Sequence, residues 1–105
     1  MQLGEERILQ VANTVLRAPG IDAVRKHVER MSEDERRRLK VLFWYGREGG
    51  DIGILEKAAD EQSADEIGDY LACKTNLAQC LVLSIVRAKQ ENEVNELLGM
   101  PKIEV

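Results

Sequence analysis

His27 is the only histidine in the chain, so any Ser-His-Asp or Cys-His catalytic pair has to use it. It stands between Lys26 and Val28 in a charged stretch, and no Gly-x-Ser-x-Gly elbow presents a nucleophile. A surface or helix-end position is the expectation. Cys73 and Cys80 are the only cysteines. With one histidine they fall short of the four ligands of a structural zinc site, and two cysteines cannot build a disulfide framework. Both adjoin an apolar residue, Ala72 and Leu81, which points to buried packing. Asp60, Glu61, Asp65, Glu66 and Asp69 form a carboxylate cluster that a hydrolase or a metal site could use. Helix surfaces and caps explain the whole cluster, and the Glu-x-x-His of a di-iron bundle is missing. The expectation is no catalytic residue, no metal and no cofactor.

Three further stretches suggest binding. Gly46-Arg47-Glu48-Gly49-Gly50-Asp51 is a glycine-rich loop ahead of a helix, the setting in which amides cradle phosphate. It lacks Gly-Lys-Ser/Thr and a preceding strand, and Asp51 puts negative charge where the anion would sit, so a connector is expected. Arg36, Arg37, Arg38 and Lys40 form a basic run beside Trp44 and Tyr45. It suits an acidic protein or a nucleic-acid backbone; the competing reading is a wet helix face paired with Glu33 to Glu35. Residues 63–85 have the outline of a helix-turn-helix, with a turn at Ala72 to Thr75 and a second helix opening at Asn76-Leu77-Ala78-Gln79. A recognition helix exposes polar and basic groups. This one offers Lys74, Asn76 and Gln79 and then becomes apolar, behind an acidic first helix, so nucleic acid is disfavoured.

The elements that position these residues read as helices. Ile8, Val11, Ala12 and Val15 share one face of a first helix, about Glu5 to Leu16, with Leu9 and Leu16 widening the stripe. Ala18-Pro19-Gly20 ends it. Ile21, Val24, Val28 and Met31 form the seam of a second. Ser32 to Glu35 is a capping box opening a third helix with Leu39, Leu42 and Phe43 inside. Trp44 and Tyr45 close it, and Gly46 is the expected C′ residue. Asp51 caps a fourth helix whose inner face is Ile52, Leu55, Ala58 and Ala59. Ser63 to Glu66 is a second capping box, starting a helix with Ile67, Tyr70 and Leu71 inside. Thr75 or Asn76 caps the sixth, about Leu77 to Leu98, stopped by Gly99 and Pro101. Its first ten residues are apolar nearly all round, which places it at the centre of a bundle or in a subunit interface.

The 105 residues, 44% hydrophobic and 32% charged, fit one folded domain over 1–105, with loose ends at 1–3 and 100–105. The net charge of −4 argues mildly against a nucleic-acid binder. It is unevenly spread: residues 1–50 carry net +2 and residues 51–105 net −6. Such a bipolar surface suits docking or self-association. No apolar run approaches the ~20 residues of a membrane span, and nothing looks like a secretory signal. A cytoplasmic location is expected.

Around Glu33 to Arg47 the chain resembles a family of small bacterial helical proteins of unknown function. The likeness rests on an acidic helix start, a leucine-rich helix and the corner Trp44-Tyr45-Gly46-Arg47. Asp69-Tyr70-Leu71 followed by Leu77 and Leu81 extends it, over about residues 28–90. The more basic third helix and the lack of a long acidic N-terminal insert depart from that pattern. The resemblance implies a helical fold and assigns no activity.

The sequence thus predicts an all-α, compact bundle of about five to six helices with a long, largely buried C-terminal helix. It is read as a non-enzymatic protein-interaction or regulatory module with a protein partner. The alternatives are a small phage-type inhibitor of a host protein machine and a DNA-binding regulator using residues 63–85. The candidate interaction surface is Trp44, Tyr45, Arg47, Arg36, Arg37 and Arg38. Trp, Tyr and Arg so often dominate interfaces; the structural rival has Trp44 in the core and Arg47 paired with a carboxylate. Val82, Leu83 and Val86 are the candidate face of a homodimer.

Overall fold

Among the residues that the computed structural model describes, 4–18 and 20–91, the chain is all-helical. The helices are α1 (Glu5–Arg17), α2 (Ile21–Glu29), α3 (Glu33–Glu48), α4 (Ile52–Asp60), α5 (Ala64–Ala72) and α6 (Leu77–Gln90). The expected stop of the last helix at Gly99 and Pro101, its stretch beyond Glu91, and the two ends lie outside the described residues.

Local chemistry sets the helix starts. The Ser32 hydroxyl accepts from the Glu35 amide at 3.2 Å, and the Glu35 carboxylate accepts from the Ser32 amide at 3.4 Å. This reciprocal pair satisfies two amides that a helix start leaves open. Ser63 makes only the forward bond, to the Glu66 amide at 3.2 Å, so the second box is a simple cap. Asp51 accepts from the Ile54 amide at 3.1 Å. Asn76 stands at the start of α6 without a side-chain cap.

One core runs through all six helices. Ile8, Val11, Ala12 and Val15 of α1, Val24 and Val28 of α2, Leu39, Leu42 and Phe43 of α3, and Leu77, Leu81 and Ile85 of α6 are buried in it. Each fully buried Leu or Phe contributes about 1.5–3 kcal/mol. Helix α3 is the hub: it packs on α4, α5 and α6, while α1 covers α6 and α2 covers α5.

Four expectations need correction. Gly46 does not end α3. It is buried inside the helix, where a Cβ would lie 1.9 Å from the Cys80 carbonyl oxygen of α6. The small residue lets two backbones touch, and the helix continues to Gly49, whose φ of 73° makes the C-terminal turn. Leu9, Leu16 and Ile21 lie outside the core, because α1 and α2 each turn a narrower stripe inward than their apolar pattern spans. Cys73 is exposed just past α5, whereas Cys80 is buried against α3. Arg38 and Lys40, read as part of a wet face, are buried.

Candidate functional site

The basic run is absorbed by its neighbours. Arg36 donates to the Met31 carbonyl at 3.2 Å and to the Glu29 carbonyl at 2.9 Å, satisfying the end of α2, and pairs with Asp65 at 3.6 Å. Arg37 reaches the Gln62 carbonyl at 3.4 Å, beyond the end of α4, and Glu33 at 3.5 Å. Arg38 pairs with Glu56 of α4 at 3.2 Å. Cations placed at helix C-termini satisfy open carbonyls and complement the dipole. Their work is to hold α2 and α4 onto α3.

The Trp44 corner is likewise largely internal. Tyr45 is fully buried, its hydroxyl donating to Glu91 at 2.5 Å. Trp44 is half-buried, and its indole N–H donates to the Tyr70 hydroxyl at 2.9 Å. Arg47 is the exposed member of the corner; its guanidinium lies over the Phe43 ring at 4.9 Å and pairs with Glu48 at 3.0 Å. Tyr70 meets Phe43 edge-on at 6.0 Å and Trp44 at 6.2 Å. The two sequence segments that carry the family likeness therefore meet in space, Trp44 and Arg47 from one and Tyr70 from the other.

Lys40 sits inside this cluster at 1% exposure. Its ammonium is 4.1 Å from the Tyr70 ring centre and 4.6 Å from that of Trp44, and it donates to the Gln62 amide oxygen. Burial holds its pKa below the ordinary lysine value; Glu66 opposes the shift and Lys74 adds to it. Between that lowered value and about 10.4 the unfolded chain binds more protons than the folded one. The contribution of Lys40 to stability is therefore complete above this range and is lost as pH falls through the folded value. Lys40→Met is expected to change stability at neutral pH by less than about 1 kcal/mol, because cation–π attraction and desolvation nearly cancel. It should also flatten the rise of the urea midpoint toward alkaline pH. A loss above about 3 kcal/mol at neutral pH would mean that the ring contacts win.

Elsewhere the sequence candidates disperse. Desolvation, then Arg7 and Arg30, hold the His27 pKa below its usual value, and no nucleophile is bonded to it among the described residues. Burial pushes the Cys80 thiol up, with Arg47 acting against it. Asp69 pairs with Arg25 at 3.0 Å and Asp65 with Arg36. Among the described residues no three His, Cys, Asp or Glu side chains converge as metal donors. A 170 Å³ cleft between α3 and α4 has Asp34, Arg37, Arg38, Glu56 and Asp60 around it, and the Arg38–Glu56 pair lies within it.

Besides Arg47, the interaction and dimer candidates that stay exposed are apolar. Val82, Leu83 and Val86 are 40–46% exposed on α6. On α1, Leu9 is 44% and Leu16 68% exposed. The Glu5–Lys89 ion pair, 2.7 Å, ties the start of α1 to the end of α6, so the two helices run antiparallel. Val82 and Val86 stand seven and three residues before Lys89, on the flank of α6 that carries it. Leu9 and Leu16 stand four and eleven residues after Glu5, on the corresponding flank of α1. Both rows border one seam, with Leu83 on its far rim. The sequence pointed to the α6 part of this face. It placed Leu9 and Leu16 in the core stripe, although their offset from Ile8, Val11 and Val15 around the helix was the available signal.

Helices α5 and α6 meet at 104° across a four-residue break, the angle of a helix-turn-helix. The second helix turns Leu77, Ala78, Cys80 and Leu81 inward, and between Gln79 and Arg87 its outward residues are Val82, Leu83 and Val86, with Lys89 and Gln90 exposed only in its last turn. Among the described residues no single helix is long and apolar enough to cross a membrane; α5 and α6 pass that test only together, across this bend. No family model, no characterised protein and no solved structure matches the chain.

Proposed function

We propose that the protein is a non-enzymatic interaction module whose working surface is the apolar face along the α1–α6 seam. The supporting observation is the placement of Leu9, Leu16, Val82, Leu83 and Val86 on the outside, around one seam, while Tyr45 and Arg38 are buried, Trp44, Arg36 and Arg37 are half-buried and bonded to neighbouring segments, and the exposed Arg47 is paired with Glu48. Together these five side chains expose on the order of 400 Å², the range in which a patch on a monomer is commonly functional. The proposal replaces the Trp44 corner with this face as the docking surface. It keeps the likeness to small bacterial helical proteins, and blockade of a larger host machine is one form that such a module takes. Nucleic acid is a poor fit, since an apolar face gives phosphates nothing to bind.

The test compares proteins captured from the native host by wild type, by Leu16→Glu/Val86→Glu and by Trp44→Ala, each shown to be folded by circular dichroism. A partner lost by the face variant and kept by Trp44→Ala is the expected result. A partner lost only by Trp44→Ala contradicts the proposal.

A further inference from the structure

We infer that the occupant of this face is a second copy of the chain, bound with α6 antiparallel to α6 about a twofold axis. The inference rests on the proposed role of the face and names what covers it. Gln79, Val82, Val86 and Lys89 are spaced three, four and three apart along the exposed side of α6, the seam that one helix offers another in a two-helix contact. Its two central positions are apolar and its two ends are polar.

Orientation follows from the ends. In the antiparallel arrangement Val82 meets Val86 of the second copy, and Gln79 meets Lys89 of the second copy. An amide facing an ammonium is complementary, and oppositely directed helix dipoles add a small favourable term. In the parallel arrangement each residue meets itself, setting Lys89 against Lys89. The seam's charge is also already balanced within one chain, because Lys89 holds Glu5 at 2.7 Å. A partner chosen by charge finds little to grip, whereas an identical apolar seam matches it in shape and neutrality. Leu9 and Leu16 on one rim and Leu83 on the other lie beside the crossing and are covered with it. With on the order of 400 Å² from each copy, about 800 Å² in all, the contact lies below the size of stable interfaces, so the dimer is a weak, concentration-dependent one that fills toward millimolar concentration.

Sedimentation velocity on the full chain, from low micromolar to millimolar, tests this. The mass of wild type should rise from 11.9 kDa toward twice that value. Val86→Arg should weaken the dimer at least about tenfold, since it sets a charge in the apolar centre of the seam, while keeping its helical spectrum and urea midpoint. Should Val86→Arg fail to fold, Leu83→Lys carries the same test from the rim. Gln79→Glu should tighten the dimer about threefold by facing Lys89 of the second copy. A wild type that stays at 11.9 kDa throughout overturns the inference; a host partner captured through the same face would then still uphold the module reading. A dimer indifferent to both Val86→Arg and Leu83→Lys overturns it too, and a dimer weakened by Gln79→Glu overturns the antiparallel order.

Discussion

Gly46→Ala is expected to destabilise the chain by at least about 3 kcal/mol, the largest loss for a single added methyl group. The new Cβ would stand 1.9 Å from the Cys80 carbonyl oxygen and 2.9 Å from both the Cys80 carbonyl carbon and the Ser84 nitrogen. All three atoms are backbone of α6, so no rotamer change relieves the clash and α3 must move off the helix it packs against. Alanine gains about 1 kcal/mol of helix propensity over glycine, which the steric cost exceeds. Gly68→Ala isolates that gain. Gly68 is also helical and buried, but its added Cβ meets only Val28 Cγ1 at 3.9 Å, an ordinary contact. It should raise stability by about 0.5–1 kcal/mol. Urea midpoints at unchanged slope measure both. A Gly46→Ala variant as stable as wild type would show that α3 and α6 do not cross there.

The second large effect is expected at Tyr70. Its ring packs edge-on to Phe43 and Trp44 and faces the ammonium groups of Lys40 and Lys74, at 4.1 Å and 4.5 Å from the ring centre. Its hydroxyl accepts from Trp44 at 2.9 Å. Tyr70→Ala removes the ring from all four partners and leaves Lys40 with the Trp44 ring and the Gln62 amide, so the loss should be about 3 kcal/mol. Tyr70→Phe keeps the ring and drops the acceptor, at about 1 kcal/mol. Thermal melts of the two variants separate ring from hydroxyl. Equal losses would assign the stabilisation to the hydrogen bond rather than to packing.

Both effects bear on how the fold is written in the chain. Helix starts are legible where side chains reach nearby amides: Ser32, Asp51 and Ser63 announce α3, α4 and α5. The inner faces of α1 and α3 follow from helical spacing. What spacing cannot give is the partner of a residue. Gly46 and Gly49 both suit a helix end by type; the approach of α6 assigns the first to a crossing and leaves the turn to the second. Arg36 to Arg38 look solvated in isolation, and become anchors only once the ends of α2 and α4 arrive beside them. Leu9 and Leu16 look like core because they are apolar near core positions, yet α6 covers only the stripe next to them. The Trp44 corner was conspicuous by residue type, and that type serves packing against Tyr70. The working face was half legible, because the α6 residues sit on an apolar helix while the α1 residues required the tertiary pairing.

Methyl chemical shifts followed through a dilution series test the central claim most directly. If the α1–α6 seam is the docking surface and a second copy fills it, the methyl signals of Leu9, Leu16, Val82, Leu83 and Val86 move together with concentration. Ile54, on α4 and 69% exposed, stays still as the internal control. Movement at Ile54 or around Trp44, with the seam methyls unmoved, would contradict the account.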